Sequence, residues 1–255
     1  MLGIAIGITS QRIPLLRTCT NQVLEPIEQP VLVVHDNQQN NFLPSYPNFS
    51  FVIHRSGYSL YYDARHRNPA WVYEHLTAGR LQGNVERFLA FKEDEKIPLH
   101  LRATLADYKG SGFDRGHMAP AANHRSTFEI IEDTFFLTNM CPQSPSFNRG
   151  YWSKLERYVR NLTKTYQNIY VVTGPLYLSQ EGCDGKRYVT YQVIGPQEVA
   201  VPTHFFKVLT LKNGQGNQDI KAYILHNQPI SSNVPLSQFE STLEKVEKCA
   251  GLIFP

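Results

Sequence analysis

The chain has 255 residues, 42% hydrophobic and 18% charged, which is enough for one sizeable core and excludes a collagen-like or intrinsically disordered chain. No apolar run approaches the ~18 residues of a membrane-spanning helix, so stable membrane insertion is not expected. The formal net charge of +3 is mild, so any nucleic-acid role must rest on local clusters of cations, not on a global excess.

Residues 1–50 read as an N-terminal arm or presequence ahead of a domain spanning 51–255. The first 24 residues carry Arg12 and Arg17, no acidic residue, and hydroxyls at Thr9, Ser10, Thr18 and Thr20. That composition leans toward an organelle presequence, with a secretory signal the weaker reading and an untargeted N-terminus the further alternative. Val31–Val34 predicts a short strand, and Asp36–Asn41 with Pro44 and Pro47 a linker. Phe51–His54 and Tyr58–Tyr62 alternate around Gly57 and predict a hairpin, with a further strand at Pro69–Tyr73. Residues 80–110 are charged and irregular and predict a long surface loop.

Thr134–Met140 is apolar, β-branched or aromatic, as a buried strand should be. The strongest helix signal covers Arg149–Gln167, where Trp152, Leu155, Val159, Leu162 and Tyr166 form one apolar stripe. Strands are predicted at Ile169–Thr173, Tyr188–Ile194, His204–Leu211 and Lys221–Leu225, with a turn at Asn213-Gly214, and the tail Leu236–Ala250 reads as a C-terminal helix. Strands outnumber helices and do not alternate with them, so the class is α+β with an antiparallel or mixed sheet. The widely spaced Cys19, Cys141, Cys183 and Cys249 contain no C-x-x-C pair, which argues against a zinc ribbon or redox motif and for free thiols.

The residues with the most chemical content lie between Asp114 and Arg160. In Asp114-Arg-Gly-His117 a glycine lets the backbone approach a phosphate, and His117 has a proton affinity suited to deprotonating water. Asn148 offers a neutral, hard oxygen suited to magnesium, although its place ahead of the predicted helix also fits an N-cap. Glu156 follows eight residues on, a rotation of about 80° from alignment, so the two can share a side of the helix. Arg149, Lys154, Arg157, Arg160 and Lys164 make the helix basic. Arg160, one turn beyond Glu156, points the same way and can bind phosphate oxygens through two bonds. No H-E-x-x-H, P-loop or G-x-S-x-G motif is present.

These residues resemble the DNA/RNA non-specific endonucleases of the ββα-metal (His-Me finger) fold. The likeness runs from about Gly57 to the C-terminus and is strongest in Ala106–His117, Ala121–Arg125, Val172–Pro175, Tyr191–Gly195 and Val199–Lys207. It implies a central, mostly antiparallel sheet flanked by helices, and magnesium-dependent hydrolysis of DNA and RNA to 5′-phosphate and 3′-hydroxyl ends, with manganese able to substitute. Carried over, it makes His117 the general base, Asn148 the metal ligand, Glu156 the holder of a metal-bound water, and Arg115 and Arg160 phosphate contacts. Asn139 matches a motif asparagine that supports the site, Asp114 is structural, and Arg87 is the candidate for an upstream phosphate-contacting arginine. A homodimer is also implied. The alternatives are an inactive nucleic-acid-binding relative and a mainly exonucleolytic member of the same fold.

Overall fold

Alternation of large apolar and polar side chains from residue 52 onward builds an antiparallel sheet, in a computed structural model that describes residues 52–86 and 89–254. The arm 1–50, the strand expected at Val31–Val34 and Arg87 lie outside these described residues. In chain order the strands are β1 (Val52–His54), β2 (Tyr58–Asp63), β3 (Asn68–Leu76), β4 (Asp114–His117), β5 (Met140–Gln143), β6 (Asn168–Leu176) and β7 (Gln180–Glu181). They continue with β8 (Arg187–Tyr188), β9 (Val193–Ile194), β10 (Val199–Ala200), β11 (His204–Lys212), β12 (Gln218–His226) and β13 (Glu240–Ser241). The helices are α1 (Leu105–Tyr108), α2 (Phe128–Asp133), α3 (Ser153–Leu162) and α4 (Leu243–Ala250).

Seven strands form the main sheet in the order β1-β2-β3-β6-β11-β12-β13, every neighbour antiparallel. The hairpin expected around Gly57 is present, with Ile53 opposite Leu60. On one face of the sheet Phe205, Leu209, Leu211 and Tyr223 join Trp152, Leu155 and Val159 in the largest core cluster. The other face packs Phe206, Val208 and Ala222 with Val246 of α4. The period-two alternation of β11 thus covers both faces of the sheet, one for each helix.

The predicted stripe on α3 is correct in its burial and too long in its helix. Trp152, Leu155 and Val159 are buried, while Leu162 and Tyr166 pack at the edge of the same cluster. The chain enters through a π-helical segment, Phe147–Trp152, and the α-helix stops at Leu162. Thr163 turns its hydroxyl back onto the Arg160 carbonyl at 2.8 Å, and a β-branched residue that satisfies the last carbonyls favours an exit. Phe147, Trp152 and Phe205 meet with ring centroids 5.4–5.8 Å apart, a triangle that pins the π segment to the sheet.

Four expectations need correction. Thr134–Met140 is not a strand: Thr134 closes α2, its hydroxyl on the Ile131 carbonyl at 2.6 Å, and Leu137–Asn139 is a 3-10 turn leading into β5. The apolar run signalled burial, which Phe135, Leu137 and Met140 obey, but a solid apolar run does not specify a period. Tyr188–Ile194 divides into β8 and β9, with an exposed stretch between them that includes Val189. The tail helix begins only at Leu243, capped by the Thr242 hydroxyl, because residues 240–241 join the sheet edge as β13. Residues 80–110 are not a surface loop throughout: Asp94, Ile97, Ala103, Asp107 and Tyr108 are buried, and Ala103 and Tyr108 share a second core with Leu137, Met140 and Val199.

Among the described residues Cys141, Cys183 and Cys249 are free, and no helix is long and apolar enough to cross a membrane. Because the Trp152 ring is fully buried against Phe147 and Phe205, Trp152→Ala should cost about 3–5 kcal/mol of stability, read as a lowered urea midpoint with little change in its slope.

Candidate active site

The site is built on a ribbon set apart from the main sheet. β4 and β5 pair antiparallel, Asp114 opposite Gln143 and His117 opposite Met140. Gly116 is required here for an unexpected reason: a Cβ at this position would come within 2.1–2.4 Å of the Gln143 side chain. The space a Cβ would take is therefore filled by the Gln143 side chain. Immediately after His117 the chain is clamped by Asn139, which is fully buried. Its Oδ1 accepts from the Ala119 N–H and its Nδ2 donates to the Ala119 and Thr134 carbonyls, all at 2.9 Å. With every amide atom spent on backbone, Asn139 supports the strand end that carries His117.

Asp114 ties this ribbon to the helical segment. Its Oδ2 accepts from Asn148 Nδ2 at 2.9 Å and from Arg149 Nε at 2.8 Å, and its Oδ1 accepts from Arg149 Nη2 at 2.6 Å. Burial pushes the carboxyl up, but the hydrogen bonds from Arg149 and Asn148 and the guanidinium charge outweigh it and hold Asp114 below its ordinary value. Asn148 is not an N-cap: it lies inside the π-helical segment, its own N–H on the Ser144 carbonyl at 2.9 Å. Because a carboxylate only accepts, the Asn148 amide must present its nitrogen to Asp114. Its Oδ1 then points away, with no hydrogen-bond donor among the described residues. A neutral hard oxygen fixed in this way fits a divalent cation that keeps most of its water.

Arg115 and His117 share a face of β4, as residues two apart in a strand must. The Arg115 guanidinium lies 5.0 Å from the Phe91 ring centre and 5.5 Å from that of Tyr108. Its Nε is buried with no acceptor among the described residues. The His117 ring is only 6% exposed and packs against Phe91 and Phe135 at 5.7 and 5.2 Å. Aromatic walls thus orient both side chains.

On α3, burial lowers the proton affinity of Arg160, and the nearby carboxylate of Glu156 opposes that shift without cancelling it. Arg160 donates from Nη1 to Asn123 Oδ1 at 3.2 Å. The other cations of this segment divide as a solvated helix face does. Arg149 serves Asp114, Lys154 donates to the Ser232 carbonyl at 2.9 Å, and Arg157 and Lys164 are exposed.

Behind Arg160 is a set of buried polar groups that sequence reasoning missed: Glu74, Asn123, His124 and Lys207. Lys207 donates to Thr173 Oγ1 at 2.5 Å and lies over the Trp152 ring, and burial lowers its proton affinity. The available signals were weak: an acid inside the apolar-aromatic run Trp71-Val-Tyr-Glu74, and a lysine inside Phe205-Phe-Lys207-Val-Leu.

A two-stranded ribbon bearing a histidine, followed by a helix that begins at an oriented amide, defines a ββα nuclease fold when backed by this antiparallel sheet. The chain belongs to the DNA/RNA non-specific endonuclease family, whose profile matches residues 37–255. It is 47% identical over 209 residues to human mitochondrial endonuclease G, covering 82% of this chain and 70% of the human one. Nuclease C1 of Cunninghamella echinulata var. echinulata is 47% identical over 206 residues, 79% of this chain and 81% of the fungal one. Among solved structures, the EndoG/EndoGI complex, a study of EndoG inhibition, superposes with a TM-score of 0.79 at 48% identity, covering 82% of this chain and 87% of that one.

The lowered proton affinity of Asp114 fixes the sign of one pH effect. A carboxyl depressed on folding contributes stability that is complete above its unfolded value, 3.8, and is lost as pH falls through the folded value. Asp114→Asn should therefore flatten the fall of unfolding free energy below about pH 5, measured by urea titrations from neutral to acid pH.

Proposed function

We propose that this chain is a magnesium-dependent endonuclease that cuts both DNA and RNA, accepts manganese in place of magnesium, and leaves 5′-phosphate and 3′-hydroxyl ends. Membership of its family makes it a metal-dependent nuclease, a hydrolase of phosphodiester bonds; the metal, the end chemistry and the residue roles are our reading. The observation that carries it is the hydrogen bond from Asn148 Nδ2 to Asp114, which turns one neutral oxygen outward at the start of the helix. In this reading the anchor is the Asn148 amide oxygen, a neutral hard ligand that leaves the ion most of its water. Bound there, the ion supplies positive charge that offsets the negative charge growing on the phosphate and its leaving oxygen.

The chain's own residues do the rest. His117 takes the proton of the attacking water, and its aromatic walls hold the imidazole in one orientation. Arg115 and Arg160 bind non-bridging oxygens and answer the charge that builds in the transition state. Glu156 accepts hydrogen bonds from water at the Asn148 site, Asn139 positions the His117 strand end, and Arg87 is a further phosphate contact. A grip made on phosphates carries no base information, so sequence preference is weak and binding is salt-sensitive.

Human endonuclease G is a mitochondrial protein by name, and the acid-free start of this chain agrees with that destination for a eukaryotic source; export is the counterpart in a bacterium. The domain proper runs over 51–255 behind an arm, and two copies associate as a homodimer in this reading. Light scattering at twice the chain mass would support the dimer, and a single-chain mass would remove it.

His117→Ala should lower the rate of plasmid cleavage by roughly 10²–10⁴ with the fold retained. Asn148→Ala should abolish the response to added magnesium along with activity. Native-rate cleavage by either variant defeats the role assignment, and a closed plasmid left intact by the wild-type protein would favour an exonuclease.

A further inference from the structure

Glu74 is a carboxylate near the C-terminal end of β3, paired in register with Tyr58 on one side and Val171 on the other. It is 1% exposed. Burying a carboxylate is costly unless hydrogen bonds and opposite charge compensate it, so its partners indicate why it is there. Oε1 accepts from Asn123 Nδ2 at 2.8 Å and from His124 Nε2 at 2.9 Å. Oε2 is buried with no donor among the described residues. A role confined to fastening the 121–125 turn would be met as well by a neutral amide, without the cost of a half-satisfied charge. Positive charge is nearby instead: Glu74 acts electrostatically on both Arg160 and Lys207.

The contacts run in one direction. Asn123, 4% exposed, gives its nitrogen to Glu74, which fixes the flip of its amide and leaves Oδ1 to receive Arg160 Nη1 at 3.2 Å. The carboxylate therefore determines which end of Asn123 meets the guanidinium. Even the glycine at 57 serves this arrangement, because a Cβ there would come within 2.4 Å of His124 Nδ1 and displace the ring that steadies Glu74. Among the described residues the bond from Nη1 to Asn123 is the hydrogen bond that holds Arg160, and in this reading the rest of its fork serves phosphate.

We propose that Glu74 and Asn123 are positioning residues that lock the Arg160 guanidinium in its phosphate-binding orientation, an inference that rests on the reading of Arg160 as a phosphate contact. Neither touches substrate; both act through the arginine. A merely structural pair would disturb the turn and lower activity whether or not residue 160 is an arginine.

The test is a double-mutant cycle on the full-length, metal-loaded enzyme, with kcat/KM measured on plasmid DNA and thermal midpoints recorded for every variant. Arg160→Ala should lower kcat/KM, and Asn123→Ala should lower it roughly 10- to 100-fold, the worth of one lost hydrogen bond to a charged group. In the Arg160→Ala background Asn123→Ala should cost less than about 2-fold, since residues that act as a unit are not additive. Glu74→Leu, which keeps the size and removes the acceptor that fixes the Asn123 amide, should behave the same way and carries the cycle if Asn123→Ala does not fold. Equal losses in both backgrounds would overturn the positioning role while leaving Arg160 as a phosphate contact. A native rate for Arg160→Ala would remove that contact itself, and the proposal with it. Native rates for Glu74→Leu and Asn123→Ala beside an impaired Arg160→Ala would overturn the proposal alone.

Discussion

The carboxylate of Asp114 is the joint on which the site depends. It stands at the first residue of β4 and takes one hydrogen bond from Asn148 and two from Arg149, so the ribbon and the π-helical segment cannot move independently. Arg149 is largely exposed, and a surface ion pair contributes little stability on its own. The geometric consequence is larger than the energetic one. The same carboxylate that receives Arg149 dictates which atom of Asn148 faces outward, and the metal anchor proposed for Asn148 requires that atom to be oxygen. The interaction is weak in stability and decisive in orientation, which is why mutation should affect chemistry more than fold.

Rigidity comes from elsewhere. The Phe147–Trp152–Phe205 triangle and the buried face of α3 fix the helix against the sheet, and burial of side chains this large is worth several kcal/mol. Asn139 fixes the end of β4 by three hydrogen bonds to backbone. The two functional ends of the unit are thus set by apolar packing on one side and a buried amide on the other. Catalytic groups that must stay within a fraction of an ångström of one another benefit from supports of this kind, because the cost of ordering them has been met during folding.

Much of this was legible in the residues, for identifiable reasons. The sheet strands from Val52 to Leu76 and from His204 to His226 alternate cleanly, and the stripe Trp152-Leu155-Val159 repeats at helical steps, so period and burial could be read together. The motif around His117 was legible because its members lie close in sequence. Thr134–Met140 was misread because an unbroken apolar run reports burial without a period, and the π-helical entry to α3 has no composition signal separate from a helix. The Glu74–Asn123 pair is a different kind of failure. Its partners are separated by 49 residues, and only the pairing of β3 with the rest of the sheet brings them together. Gly116 was recognised as special, but the atom that demands it belongs to Gln143 on the next strand.

A chain with a net charge of only +3 must still hold a polyanion, and the structure suggests how. Several of its cations are committed to carboxylates: Arg55 to Asp94, Arg102 to Glu93, Lys92 to Glu132 and Arg149 to Asp114. Arg115 and Arg160 are held differently, the first over the rings of Phe91 and Tyr108 and the second by the neutral oxygen of Asn123. A guanidinium whose hydrogen-bond partner is neutral is oriented without a carboxylate taking its donors, which suits the phosphate contacts proposed for it. Glu74 extends the same logic by one step: it stays a residue away, close enough to favour the charged arginine and to set Asn123, but with the amide between them so that the fork is not consumed. The count of basic residues is therefore a poor guide to affinity for nucleic acid in this protein, and the nature of the groups that hold each arginine is the better one.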